Sequence, residues 1–263
     1  MAGDRSTRPV IPDARYGARL AEAQSLLTDR NVPALLVGVG ADLRYLTGYV
    51  AMPLERLTML VVPARGRPAL VAPRLEAMAA ARSPAVRSGQ GPVTPWDEAD
   101  DAHALVASLL TDALGAAVGV GDRVLLSDRL WAMHVLGLER VLPGVSFGLA
   151  SDILRELRMH KDPDEIELMR LAAHAADRVV AQIAAGRLGG RTEADVSREV
   201  RERLLAEGHE AAEFAIVASG PNSASPHHDA SNRVIQAGEP IVLDIGGSLD
   251  GYCSDTTRTL WVT

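Results

Sequence analysis

The length, composition and charge of this chain exclude several classes of protein. Its 263 residues include 27 basic and 34 acidic side chains, and the net charge of −7 argues against nucleic acid as a partner. No apolar run reaches the roughly 20 residues that cross a bilayer, so a membrane is not expected as a partner, and the length suits two domains.

The N-terminal half alternates between helix and strand patterns. Its first residues are polar and lack the apolar core of a signal peptide, which predicts a cytoplasmic protein. A helix is predicted from about residue 14 to 30, followed by an apolar strand over residues 33–38. Two further strands, 57–63 and 68–73, are predicted to pair around a turn.

The remaining part of this half continues the alternation. Helical patterns occur near residues 73–82, 101–115 and 128–140, with short strand-like runs at Val118, Val124 and Val145. This order is typical of a mixed α/β domain, which we place at residues 1–153.

A second domain is predicted over residues 154–263, and its first long helix has a clear start. Asp162 can cap this helix, Pro163 fits its first position, and Glu165 completes a capping box. The helix is predicted to run to about Ala185 and to bury one face, formed by Ile166, Met169, Ala173, Ala176, Val180 and Ile183. A second helix is predicted to begin at Thr192, with Val196, Val200 and Leu204 on one face.

Several isolated histidines receive no functional assignment. His160 and the adjacent Lys161 are predicted to be solvated at the start of the long helix. The others have no carboxylate neighbours at ligand spacing, so each is predicted to be an ordinary surface or packed residue: His103, His134, His174 and His209.

Two aspartates stand eleven positions apart on a predicted hairpin. Residues 241–247 and 251–260 read as its strands. If Leu249 and Asp250 form the turn, Asp244 stands opposite Asp255; if Asp250 and Gly251 form it, Asp255 stands opposite Gly246. Both registers place the two aspartates on the same face of the sheet, close enough for both carboxylates to reach one point.

The apolar residues around Asp244 predict a largely buried sheet, so the two charges need a neutraliser. A shared proton, Arg258 or a metal ion are the candidates, although Arg258 is predicted to point to the other face. Oxygen ligands favour Mn²⁺, with Co²⁺ or Zn²⁺ possible if histidine joins. Ordinary turn chemistry is the alternative explanation of the aspartates. Cys253, the single cysteine, is predicted to be a small buried hydrophobe.

Two adjacent histidines, His227 and His228, lie on a predicted loop rich in Ser, Pro and Asn. Either could serve as an acid or a hydrogen-bond donor beside a metal site. The alternative is a polar loop that merely contains histidines.

The stretches GPNSASPHHDAS and VLDIGGSLDGYCSDTTRT, together with KDPDEIELMR at the start of the long helix, resemble the creatinase/aminopeptidase P/prolidase family of "pita-bread" metallopeptidases. The resemblance implies an N-terminal creatinase-like α/β domain followed by a pita-bread catalytic domain. It also implies a dinuclear site of two divalent ions, commonly Mn²⁺, with Asp244 chelating one ion and Asp255 bridging both. A bridging hydroxide would attack the scissile carbonyl, and His227 would hydrogen-bond the substrate or the developing intermediate. His228 receives no role.

The function that this resemblance implies is hydrolysis of Xaa-Pro bonds, either by an aminopeptidase or by a prolidase-type dipeptidase. The expected substrate is a small peptide with proline at its second position, and a homodimer is the expected assembly. Two alternatives stay open: a non-peptide C–N hydrolase of the same fold, and a catalytically silent module that binds peptides or proteins.

One departure from the family pattern concerns the metal ligands. The family completes its site with a histidine and two glutamates after the aspartate hairpin, and Thr263 is only eight residues after Asp255. The sequence therefore resembles an incomplete pita-bread domain. We expect the 263-residue chain itself to bind the metal ions weakly or not at all and to catalyse little.

Overall fold

The computed structural model describes residues 9–263, which form two compact units. One unit spans Pro12–His160, and the other combines Lys161–Thr263 with the described residues before Pro12. The predicted α/β fold class is confirmed. The domain division predicted between residues 153 and 154 stays a prediction. Among the described residues, no helix combines the length and the hydropathy needed to cross a membrane.

The N-terminal unit alternates helices and short strands. In chain order its elements are α1 (Asp13–Asp29), β1 (Ala34–Gly38), α2 (Ala41–Thr47), β2 (Met59–Pro63), β3 (Ala69–Pro73), α3 (Ala77–Ala80), α4 (Pro84–Arg87), β4 (Val93–Trp96), α5 (Ala102–Leu114), β5 (Arg123–Leu126), α6 (Ala132–Val141), β6 (Ser146–Leu149) and α7 (Ser151–Met159).

The strands form one mixed sheet in the order β4-β3-β2-β1-β5-β6. The three middle strands β1, β2 and β3 pair antiparallel and are buried at every position, which explains why their sequences are continuous apolar runs rather than alternating ones. The predicted pairing of β2 with β3 is therefore confirmed. The outer strands β4, β5 and β6 pair in parallel.

Two predictions in this unit need correction, and one strand was missed. The helix expected over residues 73–82 is reduced to α3, because Ser83 and Pro84 begin a separate short helix. No strand was predicted over β4. Val118 was expected in a strand but lies in a loop, where its buried side chain packs into the core without strand pairing.

The C-terminal unit places two helices beside an antiparallel sheet. Its elements are α8 (Pro163–Ala184), α9 (Glu193–Ala206), β7 (Ala211–Ser219), a 3₁₀ turn (Gly220–Ala224), β8 (Pro240–Leu249), β9 (Tyr252–Cys253) and β10 (Thr256–Trp261). The long strand β8 lies between β7 and β10 and also pairs with β9.

The start of α8 confirms the predicted capping box. Asp162 accepts a hydrogen bond from the backbone of Glu165 at 2.9 Å, and the Glu165 carboxylate accepts one from the backbone of Asp162 at 2.9 Å. The predicted buried face is wrong in the first half of the helix, where Ile166, Met169 and Ala173 are exposed. Glu165 is buried instead, because its carboxylate also accepts a hydrogen bond from the Tyr252 hydroxyl at 3.0 Å.

The two helices cover one face of this sheet. Ile241, Leu243 and Ile245 of β8 are buried in a core with apolar residues of α8 and α9. The expectation that both aspartates lie in a buried sheet is wrong: Asp244 is half-buried and Asp255 is exposed. The alternate positions of β8 and β10 point away from the helices, and around the aspartates they are half-buried or exposed, as at Val242 and Thr257.

Cys253 is exposed, so its predicted role as a buried hydrophobe is also wrong. It lies two positions before Asp255, and side chains two apart on a strand share a face. The thiol is therefore on the open side of the sheet rather than in the core.

Candidate functional site

The pairing of β8 with β10 resolves the register that the sequence left open. Thr257 pairs with Asp244, and on the turn side Cys253 pairs with Ser248. The same register on both sides places Asp255 opposite Gly246. The turn consists of Asp250 and Gly251, whose φ angles of +50° and +85° suit the tight hairpin turns that need two left-handed residues.

This register places the two aspartates diagonally on one face. Diagonal neighbours in an antiparallel pair lie about 7–8 Å apart, which is close enough for two carboxylates to converge on one cation. Thr257 donates a hydrogen bond to Oδ1 of Asp244 at 2.9 Å and so orients that carboxylate. Arg258 lies on the other face, as predicted, with its guanidinium 3.5 Å from Asp177 of α8.

The position opposite Asp255 on β8 requires a glycine, Gly246. A Cβ atom at this position would lie 2.5 Å from the carbonyl oxygen of Ser254 and would collide with the ring of Phe214 on β7. Glycine therefore lets both neighbouring strands approach β8 beside the aspartates. This close approach gives a physical reason for the glycine two residues after Asp244.

A buried histidine fixes the residue next to Asp255. His209 is 2% exposed, with Nε2 2.9 Å from the Ser254 hydroxyl and Nδ1 3.2 Å from the carbonyl oxygen of Leu204. Because a carbonyl only accepts, Nδ1 donates to Leu204, while Nε2 shares a hydrogen bond with the Ser254 hydroxyl. The sequence prediction of a packed histidine holds, but its role in orienting the strand beside Asp255 was not foreseen.

The loop that carries His227 is organised around a buried carboxylate that sequence reasoning missed. Glu193, the first residue of α9, has a side chain with 0% exposure. Its oxygens accept hydrogen bonds from Ser219 N (2.8 Å), Ser219 Oγ (2.8 Å), Asn222 Nδ2 (3.0 Å), His228 Nε2 (2.8 Å), Ser231 N (3.2 Å) and Ser231 Oγ (2.7 Å). An acidic residue in the first turn of a helix is common, so the sequence carries no signal for this cluster.

The donors around Glu193 outweigh its burial. Burial alone would raise the pKa of the Glu193 carboxyl, but hydrogen bonds from Ser231, His228 and Ser219 hold that pKa well below its ordinary value. The carboxylate is therefore ionised at neutral pH. His228, which had no predicted role, is one of its donors.

The candidate site residues are only partly brought together. Asp244 and Asp255 share a face, whereas His227 is exposed on its loop and makes no hydrogen bond within residues 9–263. In the same residues, no group of three or more His, Cys, Asp or Glu side chains is arranged to hold a metal ion. The two carboxylates fit a divalent cation as oxygen donors, and they supply two of the ligands that such an ion needs.

A second histidine cluster lies in the N-terminal unit. His103 Nε2 is 3.3 Å from His134 Nδ1, and Trp131 stacks on His134 with ring centroids 6.4 Å apart. Burial lowers the pKa of both imidazoles, and each is therefore neutral at pH 7. The pair is a packed structural feature, as expected from the sequence.

Comparisons with known proteins identify the family of this chain. The profile of metallopeptidase family M24 matches residues 167–263, and that of the creatinase/prolidase N-terminal domain matches residues 19–160. The two matches follow one another along the chain. The chain therefore belongs to the M24 metallopeptidase family. This confirms the resemblance of its motifs to the pita-bread metallopeptidases.

Individual relatives narrow the comparison. The chain is 44% identical over 245 residues to a probable dipeptidase PepE of Mycobacterium bovis. The aligned region covers 93% of this chain and 63% of that protein. A crystal structure of dipeptidase PepE from Mycobacterium ulcerans matches with a TM-score of 0.86 and 42% identity, covering 95% of this chain and 66% of the other. A recombinant prolidase from Thermococcus sibiricus matches with a TM-score of 0.83 and 30% identity, covering 94% and 65%. The chain thus spans somewhat less than two thirds of these relatives.

Proposed function

We propose that the protein to which this chain belongs is a metal-dependent dipeptidase that hydrolyses Xaa-Pro bonds. The observation that carries this proposal is the placement of Asp244 and Asp255 on one face of the β8–β10 ladder, while Arg258 of the same ladder lies on the other face. Like charges on neighbouring strands repel, and a cation bound between them would remove that repulsion. A metal ion is therefore the partner that this arrangement favours.

The relatives support a dipeptidase rather than an aminopeptidase. Of the three matches described above, the two above 40% identity are named as dipeptidases, and the one at 30% is named as a prolidase. An enzyme of this class takes a small peptide, and a prolidase requires proline as the second residue. We extend this substrate class to the present protein as part of the proposal.

In the proposed reaction, Asp244 and Asp255 would hold the divalent ions, and their carboxylate oxygens favour Mn²⁺. When bound, such ions polarise a peptide carbonyl and provide a nucleophile at neutral pH. Thr257 keeps the Asp244 carboxylate oriented through its 2.9 Å hydrogen bond. His227 donates a hydrogen bond to the carbonyl oxygen of the substrate, where negative charge develops.

The test is a hydrolysis assay with Mn²⁺ on an Xaa-Pro dipeptide, an Xaa-Ala dipeptide and an Xaa-Pro-Xaa tripeptide. Both the 263-residue chain and the complete product of its gene are assayed. We expect the complete product to cleave the Xaa-Pro dipeptide fastest. Cleavage of the tripeptide alone would replace the dipeptidase proposal by an aminopeptidase, and equal rates on Xaa-Ala would remove the proline requirement.

Matched variants connect the activity to the site. Asp244→Asn and Asp255→Asn are expected to lose both bound Mn²⁺ and activity, whereas Asp177→Asn changes an aspartate on the other face and is expected to keep both. If no form that binds Mn²⁺ cleaves the Xaa-Pro dipeptide or the Xaa-Pro-Xaa tripeptide, hydrolysis of Xaa-Pro bonds is refuted. Undiminished metal content in Asp255→Asn would refute the assigned ligand.

A further inference from the structure

The Glu193 carboxylate joins segments on both sides of His227. Ser219 ends β7 and Asn222 lies in the 3₁₀ turn, so both precede His227; His228 and Ser231 follow it. All four bind the same two oxygen atoms at 2.7–3.2 Å. One side chain of α9 therefore closes the loop across its base.

The cluster is built as a buried, saturated site. Glu193 is fully buried, and an ionised carboxylate has about four lone-pair positions, which the surrounding donors fill. Hydrogen bonds to a charged group are stronger than neutral ones, and a buried carboxylate without its donors is costly. The loop is thus held in one conformation by a group that tolerates few alternatives.

The backbone reinforces the far side of the loop. The amide of Glu193 donates to the carbonyl of Arg233 at 3.1 Å, and the amide of Ala194 donates to that of Ser231 at 2.9 Å. These contacts satisfy amides of the first helical turn, which have no partner inside the helix. The start of α9 and the loop are therefore one structural unit.

The end of β7, which precedes the loop, is tied to the same structural unit through Arg233. Arg233 donates to the Ser219 hydroxyl at 2.6 Å and forms a two-pronged ion pair with Glu239 at 2.5 and 2.6 Å. Its guanidinium thus links the end of β7 to the segment before β8. His227, between these anchors, keeps an exposed imidazole for other partners.

We propose that Glu193 is a positioning residue for His227, acting through His228 and the three polar residues that bracket the loop. This role rests on the proposed peptidase function, because His227 is the group that would meet the substrate. Glu193 itself touches no substrate; it fixes the position from which the neighbouring imidazole donates. His228 is the strut that carries this constraint to the residue directly before it.

The test compares Glu193→Gln with Glu199→Gln in the complete gene product. Glutamine keeps the size of Glu193 but turns one acceptor into an NH₂ group that faces donors. Glu199 is on the same helix and forms ion pairs with Arg191 and Arg203, so its variant loses charge contacts without touching the loop. In Glu193→Gln we expect the amides of Ser225 and Ser231 to exchange with solvent at least tenfold faster than in the wild type, with the Val217 amide unchanged.

Kinetics separate positioning from general stability. Glu193→Gln is expected to lower kcat at least tenfold with KM and bound Mn²⁺ unchanged, and Glu199→Gln to lower neither. Combined with His227→Ala, it is expected to cost no more than His227→Ala alone, because both changes remove the same interaction. The proposal would be overturned if the losses of kcat in the two single variants multiplied in the double variant. It would also be overturned if the loop amides of Glu193→Gln exchanged at the wild-type rate.

A second pair of variants covers the case in which Glu193→Gln does not fold. His228→Ala removes one donor, and His228→Gln restores an N–H group of similar reach. We expect faster loop exchange and lower kcat in the first and partial recovery of both in the second; equal behaviour of the two would contradict the strut. If the wild type cleaves no peptide, the peptidase proposal fails, while the exchange rates still decide whether Glu193 and His228 hold the loop.

Discussion

Replacing Asp255 by asparagine is expected to stabilise the β8–β10 ladder when no metal is present. The reason is the like charge of Asp244, which lies diagonally across the two strands on the same face. Asparagine has almost the size of aspartate, so the substitution removes charge and little else. Removing a carboxylate would thus strengthen the sheet, the reverse of its usual effect at a paired site.

The magnitude follows from Coulomb's law. Two unit charges about 7 Å apart repel by about 0.6 kcal/mol in bulk water and by about 2.4 kcal/mol at an effective dielectric constant of about 20. Asp255 is exposed and Asp244 only half-buried, so the lower end applies. We expect a gain of about 0.5–1 kcal/mol in the free energy of opening, which corresponds to roughly two- to fivefold slower exchange of the ladder amides.

The assay is native-state hydrogen exchange of the Leu243 and Ile245 amides in EDTA at low salt. Asp177→Asn serves as the control, since it removes a carboxylate from a surface ion pair with Arg258 and is expected to stabilise nothing. At about 1 M salt the Debye length falls to about 3 Å, and the difference between Asp255→Asn and the wild type should disappear.

Two results would refute this reasoning. If Asp255→Asn opens faster than the wild type in EDTA, the aspartates do not repel at the separation that the register implies. If its gain survives at high salt, the effect is not electrostatic. Adding millimolar Mn²⁺ should reverse the order, because only the wild type keeps both carboxylates for the ion to stabilise.

Three further predictions concern the surroundings of the site and the N-terminal unit. Ser254→Ala should lower the free energy of unfolding by about 1–3 kcal/mol in urea titrations, because it removes the hydroxyl to which the buried Nε2 of His209 is hydrogen-bonded; an unchanged midpoint would contradict the contribution of this bond. Gly220→Ala should cost at least about 1–2 kcal/mol in the same assay, since this residue has φ +50° and a Cβ would meet the carboxylate of a neighbouring ion pair; full stability would show that the turn relaxes. The lowered pKa values of His103 and His134 mean that the folded state binds fewer protons than the unfolded state below about pH 6.5. The Tm should therefore fall between pH 7.5 and pH 5.5, and fall less in His103→Asn; an equal fall in both would exclude the pair as the cause.

The parts of the fold that depend on local chemistry were predictable from the sequence. The capping box formed by Asp162 and Glu165 sets the start of α8. These two residues are a local signal, and tertiary packing reinforces it. The shared face of Asp244 and Asp255 was also predictable, because strand side chains alternate and either candidate turn preserves that parity. The choice between the turns also had a local signal, because Asp-Gly, unlike Leu-Asp, suits the two left-handed positions of a tight hairpin turn.

The parts that depend on distant contacts were not predictable. The first half of α8 buries Glu165 rather than Ile166, because a tyrosine 87 positions away supplies a hydrogen bond. Glu193 likewise reads as an ordinary first-turn acid until residues 26 to 38 positions away surround it. Buried polar clusters of this kind take donors from several segments, and no periodicity in the sequence marks them.

The β8–β10 ladder divides its work between its two faces, and this division explains why the site tolerates charge within an apolar strand. Ile241, Leu243 and Ile245 pack against the helices, so their substitution removes core contacts. Asp244 and Asp255 lie on the opposite face, where a substitution changes charge and ligand donors but leaves the core intact. Stability and the proposed metal binding should therefore be separable with a period of two residues along β8, and a series of variants along this strand should show the two effects in alternation.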